Sequence, residues 1–153
     1  MSGRSAHHNR ILAFDFGTQN IGVAFGQSFT GTATPLKPLK ARDGIPDWRQ
    51  IASLIQKWQP DAFVVGVPIN MDGSDNDITQ RARKFQNRLE GRFHKPGYGM
   101  DERLSSFDAE SRVFDDQRGA AKVSIDSLAA KLILESWFRE PSGTEQDQKH
   151  DER

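Results

Sequence analysis

The sequence predicts an α/β protein: a mixed sheet of five strands, three antiparallel and then parallel, with helices on both faces. Two apolar stretches, residues 10–16 and 21–26, enclose a turn-forming segment from Gly17 to Asn20, which indicates an antiparallel hairpin. A continuous apolar run at residues 62–67 is typical of a strand covered on both faces. Helical and strand-length patterns then alternate, as in parallel strand–helix units.

The elements are expected in a simple order. Residues 30–39 form a third strand, part of which Pro35 and Pro38 place at an edge of the sheet or outside it. Pro46 lies in the first turn of a helix that Pro60 ends. The later elements are a helix over 77–93, a strand over 95–100, and helices over about 105–114 and 124–139.

The composition fits one globular domain with a packed core. The chain has 153 residues, of which 35% are hydrophobic and 27% charged. It has no cysteine, which excludes disulfides and thiolate zinc sites. No run approaches the roughly 18 apolar residues of a membrane span, and no signal peptide is evident. We expect a domain over residues 10–139, a flexible N-terminal tail over 1–9 and a disordered C-terminal tail over 140–153.

Carboxylates fall at one edge of the predicted sheet. Right-handed crossovers make the later strands parallel to the first, so their carboxyl ends meet there. Asp15 ends the first strand, Asp101 and Glu102 follow the last, and Asp126 begins the final helix. Converging acids repel one another, and a hard cation such as Mg²⁺ or Mn²⁺ removes the repulsion. Two such ions could clamp the attacking water and the leaving oxygen of a phosphodiester.

Each acid also has a structural interpretation. Asp15 can cap a turn, Asp126 can favour the positive end of a helix dipole, and the acids after the last strand can be solvated. Their joint placement favours the metal site. Gly17 and Gly22 we interpret as clearance for a nucleic-acid backbone beside Asp15.

A basic stripe predicts where nucleic acid binds. Four cations of the 77–93 helix recur at three- and four-residue steps and share a face that can follow a phosphate backbone. An ordinary charged helix face is the alternative. Arg103 either contacts the scissile phosphate or orients a neighbouring acid. The stripe consists of Arg81, Lys84, Arg88 and Arg92.

Four segments together carry a family resemblance. In chain order they are Asp15-Phe-Gly-Thr-Gln-Asn-Ile-Gly22, Val65-Gly-Val-Pro-Ile-Asn-Met-Asp-Gly73, Asp101-Glu-Arg-Leu-Ser-Ser106 and Asp126-Ser-Leu-Ala-Ala130. The chain resembles, over about residues 10–139, the YqgF or RuvX family of Holliday-junction-resolvase-like, pre-16S rRNA nucleases. The resemblance implies an RNase H-like fold and a cytoplasmic, metal-dependent nuclease that matures the 5′ end of pre-16S rRNA, with pre-ribosomal particles as partners.

The family's site carries over residue by residue. The resemblance implies catalytic roles for Asp15, Asp101, Glu102 and Asp126. The expected metal ligands are Asp15, Glu102 and Asp126, although the motif alone does not decide between Asp101 and Glu102. The expected nucleic-acid contacts are the basic stripe, Arg103 and Lys122. Residues 117–124 depart from the family pattern, with Ala120 and Ala121 where relatives often have Gly and Lys.

Other functions stay open at this point. The same chemistry serves a junction-resolving DNA nuclease with branched DNA as substrate. A non-catalytic RNA- or ribosome-associated factor is the alternative of another class. An Asp-x-Gly-Thr hairpin also occurs in ATP-binding folds, but these need a second such domain, for which the chain has no room. No zipper-like stripe demands a dimer, so we expect a monomer or a weak homodimer that does not bind membranes.

Overall fold

A mixed sheet with helices on both faces is the centre of the fold. The structure, a computed structural model, describes residues 8–104 and 124–139, and within these ranges the sheet has six strands in the spatial order β4-β3-β2-β1-β5-β6. The strands are β1 (Arg10–Asp15), β2 (Asn20–Gln27), β3 (Thr32–Arg42), β4 (Ile45–Pro46), β5 (Ala62–Val67) and β6 (Gly97–Asp101). The helices are α1 (Trp48–Trp58), α2 (Asp77–Phe93) and α3 (Ile125–Arg139).

The strand directions confirm the predicted class. From β1 to β4 each strand is antiparallel to the next, whereas β5 is parallel to β1 and β6 is parallel to β5. The carboxyl ends of β1, β5 and β6 therefore lie at one edge of the sheet. A 3-10 turn, Glu102–Leu104, follows β6 directly at this edge.

The predicted number of five strands is wrong, because a short hairpin adds β4. The hairpin turn is Asp43-Gly44, with φ values of 53° and 82°. Two-residue turns of this kind need positive φ at both positions, which Asp-Gly adopts readily. Pro46 ends β4, and α1 begins only at Trp48, after the N-cap Asp47. The expectation that Pro46 lies in the first helical turn is therefore also wrong.

The third strand is longer than predicted and lies where its prolines require. It spans Thr32–Arg42, and β4 pairs only with its last two residues, Ala41 and Arg42. Along the stretch that contains Pro35 and Pro38, the described residues place no strand on the outer side. The missing N–H groups of the two prolines therefore interrupt little of the hydrogen-bond ladder.

Side chains of β1 alternate between two core layers. Leu12 and Phe14 pack with α1 and α2 on one face of the sheet, which we call the α1/α2 face. Ile11 and Ala13 pack with α3 on the other, the α3 face. All four side chains are fully buried, as expected for a central strand covered on both sides.

Capping fixes where α2 starts, just after the loop at residues 68–76. The Asn76 side chain accepts a hydrogen bond from the Thr79 N–H, and the Thr79 hydroxyl accepts one from the Asn76 N–H. The buried Thr79 hydroxyl also donates to the Pro68 carbonyl. The helix is therefore tied to the end of β5 at the edge where the acids lie.

Several predicted features fall outside the described residues. These are the helix over 105–114, the loop that contains Lys122, residues 1–7 of the N-terminal tail and the whole tail over 140–153. In the part of the chain that the structure describes, no helix combines the length and apolar character needed to cross a membrane.

Candidate active site

Asp15 lies at the end of β1 between two glycines. It pairs with Gly22 on the antiparallel neighbour β2 and with Gly66 on the parallel neighbour β5. Strand alternation places the three residues on the α3 face, together with Ile11 and Ala13. Because glycines flank the carboxylate on both sides, groups from outside the sheet can come close to it.

On the β2 side, the first turn of α3 fills the space above Gly22. A Cβ at Gly22 would lie 1.9 Å from the carbonyl oxygen of Asp126 and 2.8 Å from the backbone nitrogen of Ser127. Only glycine permits this approach, and it brings Asp126 beside the strand that carries Asp15. The interpretation of Gly22 as clearance for nucleic acid is therefore wrong, because α3 occupies that space.

Gly17 likewise permits a close contact within the protein backbone. A Cβ there would lie 2.4 Å from the carbonyl oxygen of Asn20, so the glycine permits the tight turn between β1 and β2. The turn therefore accounts for Gly17 without nucleic acid, and clearance for a nucleic-acid backbone stays a prediction at this position.

Two serines hold the start of α3 against the sheet. The Ser124 hydroxyl accepts a hydrogen bond of 3.0 Å from the Ser127 N–H, as an N-cap does. The buried Ser127 hydroxyl accepts one of 3.2 Å from the Val23 N–H, beside an irregularity in the β2–β3 pairing. Ser127 was missed from the sequence, where it looks like an ordinary helix residue. The Ser-x-x-Ser spacing indicates the cap but not the contact with β2.

On the β5 side, the side chain of Glu102 lies over Gly66. A Cβ at Gly66 would be 2.9 Å from Oε2 and 3.3 Å from Cγ of Glu102. Glu102 therefore reaches the α3 face from the 3-10 turn and lies beside the strand position that pairs with Asp15. The structure thus brings three of the predicted acids, Asp15, Glu102 and Asp126, to adjacent positions on one face.

Asp101 belongs to the opposite face. Its predecessor Met100 packs in the α3-face core, so alternation along β6 turns Asp101 toward the α1/α2 face. Both carboxylate oxygens of Asp101 accept from Arg103, with Nη2–Oδ2 at 2.7 Å and Nε–Oδ1 at 3.1 Å. Burial alone would raise the pKa of Asp101, but the hydrogen bonds and charge of Arg103 outweigh it and hold that pKa below its usual value.

Arg103 also joins two segments of the edge. Its Nη1 donates to the carbonyl oxygens of Met71 at 3.2 Å and Asn70 at 3.5 Å. The guanidinium therefore links the loop after β5 to the turn after β6, next to Glu102. Of the two roles predicted for Arg103, the geometry fits orientation of a neighbouring acid.

The carboxylates are the type of ligand that a hard cation prefers, although the side chains are not already arranged around a common metal position. Oxygen donors around a glycine-lined strand end are the ligand type that Mg²⁺ and Mn²⁺ prefer. As the described residues stand, no group of three or more ligand-type side chains is close enough together to hold a metal ion. Mg²⁺ keeps several of its waters and often uses only one or two carboxylates, so the residues present fit such an ion.

The basic stripe lies on the α1/α2 face, opposite the Asp15 carboxylate. Its first member, Arg81, is ion-paired with Asp43 at 2.8 Å and Asp77 at 3.1 Å. Lys84 and Arg88 are exposed. The stripe and the acids therefore lie on opposite faces of the sheet, on either side of one sheet edge.

The last stripe residue is engaged with the core. Arg92 covers the Trp48 ring, with its guanidinium carbon 4.4 Å from the ring centroid. This contact uses the cation to cover an aromatic side chain. Lys84 and Arg88 are therefore the stripe members most available to a phosphate backbone.

Comparison with solved structures identifies the class of fold. The yeast mitochondrial Holliday junction resolvase superposes with a TM-score of 0.53 at 13% identity, covering 94% of this chain and 83% of that one. Thermus thermophilus RuvC in complex with a Holliday junction substrate gives a TM-score of 0.50 at 14% identity, covering 88% and 98%. At these identities the likeness shows the fold alone, and it confirms the predicted RNase H-like class.

Sequence comparison then identifies the family. The model described as "RuvX: Holliday junction resolvase" matches residues 9–140, and the chain belongs to this family. A relative from Aeromonas hydrophila subsp. hydrophila is 52% identical over 145 residues, which cover 94% of this chain and 100% of the relative. One from Glaesserella parasuis is 54% identical over 136 residues, covering 86% and 97%. Both are named "Putative pre-16S rRNA nuclease".

Proposed function

We propose that this chain is a cytoplasmic, divalent-metal-dependent nuclease that hydrolyses phosphodiester bonds at the 5′ end of pre-16S rRNA. The observation that carries the proposal is the pair of glycines around Asp15: Glu102 lies over one, and the first turn of α3, with Asp126, rests on the other. Membership of the RuvX family supports the nuclease class, and the names of the two relatives support the substrate.

Asp15, Glu102 and Asp126 would hold Mg²⁺ or Mn²⁺ in this proposal. A pair of such ions, when bound, would supply Lewis-acid polarisation of the phosphoryl group and a water of lowered pKa. Asp15 is the central ligand because its strand is fixed on both sides by the sheet. The α3 cap at Ser124 and the Ser127–Val23 hydrogen bond hold the Asp126 segment in place.

Asp101 and Arg103 act as positioning residues in the same proposal. Their bidentate ion pair fixes the turn from which Glu102 extends. The hydrogen bonds from Arg103 to the carbonyl oxygens of Asn70 and Met71 hold the neighbouring loop against this turn. Fixing these segments before substrate binds lowers the entropy cost of reaching a reactive geometry. Lys122 lies outside the described residues and stays a predicted nucleic-acid contact.

The test compares an acid at the site with a matched acid elsewhere. Wild type is incubated with a pre-16S rRNA 5′-leader fragment, with and without Mn²⁺, beside Asp15→Asn and Asp47→Asn. We expect metal-dependent cleavage that falls by at least about 10³-fold in Asp15→Asn. Asp47→Asn should cut like wild type, because asparagine caps a helix about as well as aspartate. Equal cleavage by wild type and Asp15→Asn would place the active site elsewhere.

A second candidate is a nuclease that resolves branched DNA. The description of the matching family model as a Holliday junction resolvase favours it. A four-way DNA junction run beside the leader fragment discriminates the two. Paired symmetric cuts in the junction, made by a dimer, with the RNA left intact would support the second candidate. Retention of Asp15→Asn on ribosomal particles, without cleavage of either substrate by wild type, would instead indicate a non-catalytic factor.

A further inference from the structure

A cleft of about 220 Å³ opens on the α1/α2 face, beside the strand end that carries Asp15. Its floor consists of Phe16 and Phe85, which are buried, and Trp48, which is partly exposed; the ring centroids of Trp48 and Phe85 lie 5.8 Å apart. Phe16 directly follows Asp15 in the chain. The cleft and the acids therefore share one strand end but lie on opposite faces of the sheet.

One wall of the cleft is the β3–β4 hairpin. Its residue Ile45 is 54% exposed, so its apolar side chain is available for contact at the cleft. The neighbouring Gly44 is close to the floor, since a Cβ there would lie 3.0 Å from Cζ of Phe16. The hairpin thus places the apolar side chain of Ile45 beside the aromatic side chains of the cleft.

The opposite rim is cationic. Lys84 and Arg88 line the cleft from α2, one turn apart, and both are exposed. Among the described residues neither has an ion pair, whereas Arg81 at the same cleft is bound to Asp43 across it. Residues four apart on a helix have their Cβ atoms about 6 Å apart, so the two cations can contact neighbouring phosphates of one strand.

The combination selects one chemical class of ligand. A free inorganic anion would leave Ile45 and the exposed part of Trp48 uncovered, and an apolar ligand would leave the two cations unneutralised. A nucleotide of a single strand satisfies both, with its base against the apolar wall and its phosphates on the rim. A duplex does not, because its bases are stacked inside and cannot enter a cleft of this size.

We propose that this cleft binds an unpaired nucleotide of the RNA strand being cut, which bends around the strand end between the cleft and the acids. The proposal rests on the proposed nuclease function for the identity of the strand. It adds a subsite with a base pocket, and it requires that the strand be single at this point. It also assigns Ile45, which the sequence did not single out, to substrate binding.

Binding is measured apart from cleavage, so that the two proposals can fail separately. Full-length protein is titrated in EDTA with a fluorescein-labelled single-stranded RNA of about 12 nucleotides, whose integrity is checked on a gel. We expect Lys84→Ala/Arg88→Ala to raise Kd about tenfold and to lower the slope of log Kd against log salt by about 1–2. Arg49→Ala, which removes an exposed cation of α1 outside the cleft, should leave Kd unchanged.

The apolar part of the cleft is tested by the effect of Ile45→Ala on Kd and on its salt dependence. Ile45→Ala should raise Kd severalfold at every salt concentration without changing the salt slope, because it removes contact with the base and not with phosphate. An RNA duplex of the same length should bind more weakly than the single strand. Unchanged binding in both the Lys84/Arg88 and Ile45 variants, or tighter binding of the duplex, would overturn the subsite. Selective binding by a protein that cuts no RNA would keep the subsite and reject the nuclease.

Discussion

The environment of Asp15 depends on the absence of side chains at its two glycine neighbours in the sheet. Gly66 leaves room for Glu102 on one side, and Gly22 leaves room for the backbone of Asp126 on the other. These two close approaches decide which acidic residues lie next to the strand position of Asp15. A carboxylate of the same type, Asp101, lies one residue from Glu102 yet is bound to Arg103 on the opposite face.

Gly66→Ala should therefore lower the cleavage activity by more than the loss of folded protein can explain. The new methyl group would lie 2.5 Å from Cδ1 of Ile133 and 2.9 Å from Oε2 of Glu102, so both side chains must move. We expect a loss of about 1–3 kcal/mol in the free energy of unfolding, measured with urea. We also expect cleavage to fall by at least about tenfold under conditions in which the variant remains folded, because Glu102 is displaced.

Gly91→Ala is the matched control. Gly91 lies in α2, and a Cβ there would meet nothing within 4 Å. Alanine should stabilise the helix by about 0.5–1 kcal/mol and leave cleavage unchanged. If Gly66→Ala behaved like this control, Glu102 would not depend on the space above Gly66.

The Asp101–Arg103 pair should make stability depend on pH. The pKa of Asp101 is lower in the folded protein than in the unfolded chain, so its contribution is complete above the unfolded value of about 3.9 and is lost as pH falls through the folded value. Asp101→Asn should cost about 1 kcal/mol at pH 7, a modest figure because Arg103 is partly exposed.

A double-mutant cycle of urea unfolding checks this pair. At pH 7, Asp101→Asn/Arg103→Gln should cost less than the sum of the two single substitutions, and the difference should shrink as the pH is lowered through the folded pKa of Asp101, which lies below its usual value. A pH-independent cost of Asp101→Asn would mean that the charge of Asp101 does not contribute to folding.

At the scale of elements, α3 is docked by its first turn. The Ser127 hydroxyl is the acceptor for the buried Val23 N–H, so Ser127→Ala leaves that N–H without its partner. We expect a cost of about 1–3 kcal/mol by chemical denaturation, together with slower cleavage because the Asp126 turn loses its attachment to β2. Ser136→Ala, at a buried position near the other end of α3, should cost stability without slowing the folded enzyme. Equal effects of both substitutions on rate would remove the special role of Ser127.

Comparison of the predicted and observed elements shows which of them sequence patterns can predict. Apolar runs and helical periodicity predict β1, β2, β5, α2 and α3 closely, because each buries a continuous face. The β4 strand was missed because two residues carry no periodic signal. The Asp43-Gly44 pair is nevertheless the dipeptide typical of a two-residue hairpin, and it could have revealed the turn.

For the whole molecule, the sequence predicts the edge of the sheet at which the acids gather, but not the face. Strand order alone places Asp15, Asp101, Glu102 and Asp126 together, since all follow carboxyl ends of parallel strands or start the final helix. Whether a side chain points toward α3 or toward α2 depends on strand register to within one residue. Helical spacing likewise does not reveal that the basic stripe of α2 lies on the face opposite the Asp15 carboxylate.

We propose that Asp15 and Glu102, together with Asp126 and not Asp101, hold the divalent metal. Titration with Mn²⁺, followed by the loss of the free-ion signal in electron paramagnetic resonance, tests this claim without any nucleic acid. We predict binding by wild type, at least about tenfold weaker binding in Asp15→Asn and in Glu102→Gln, and near-normal binding in Asp101→Asn. Loss of Mn²⁺ binding in Asp101→Asn with full binding in Glu102→Gln would contradict the account.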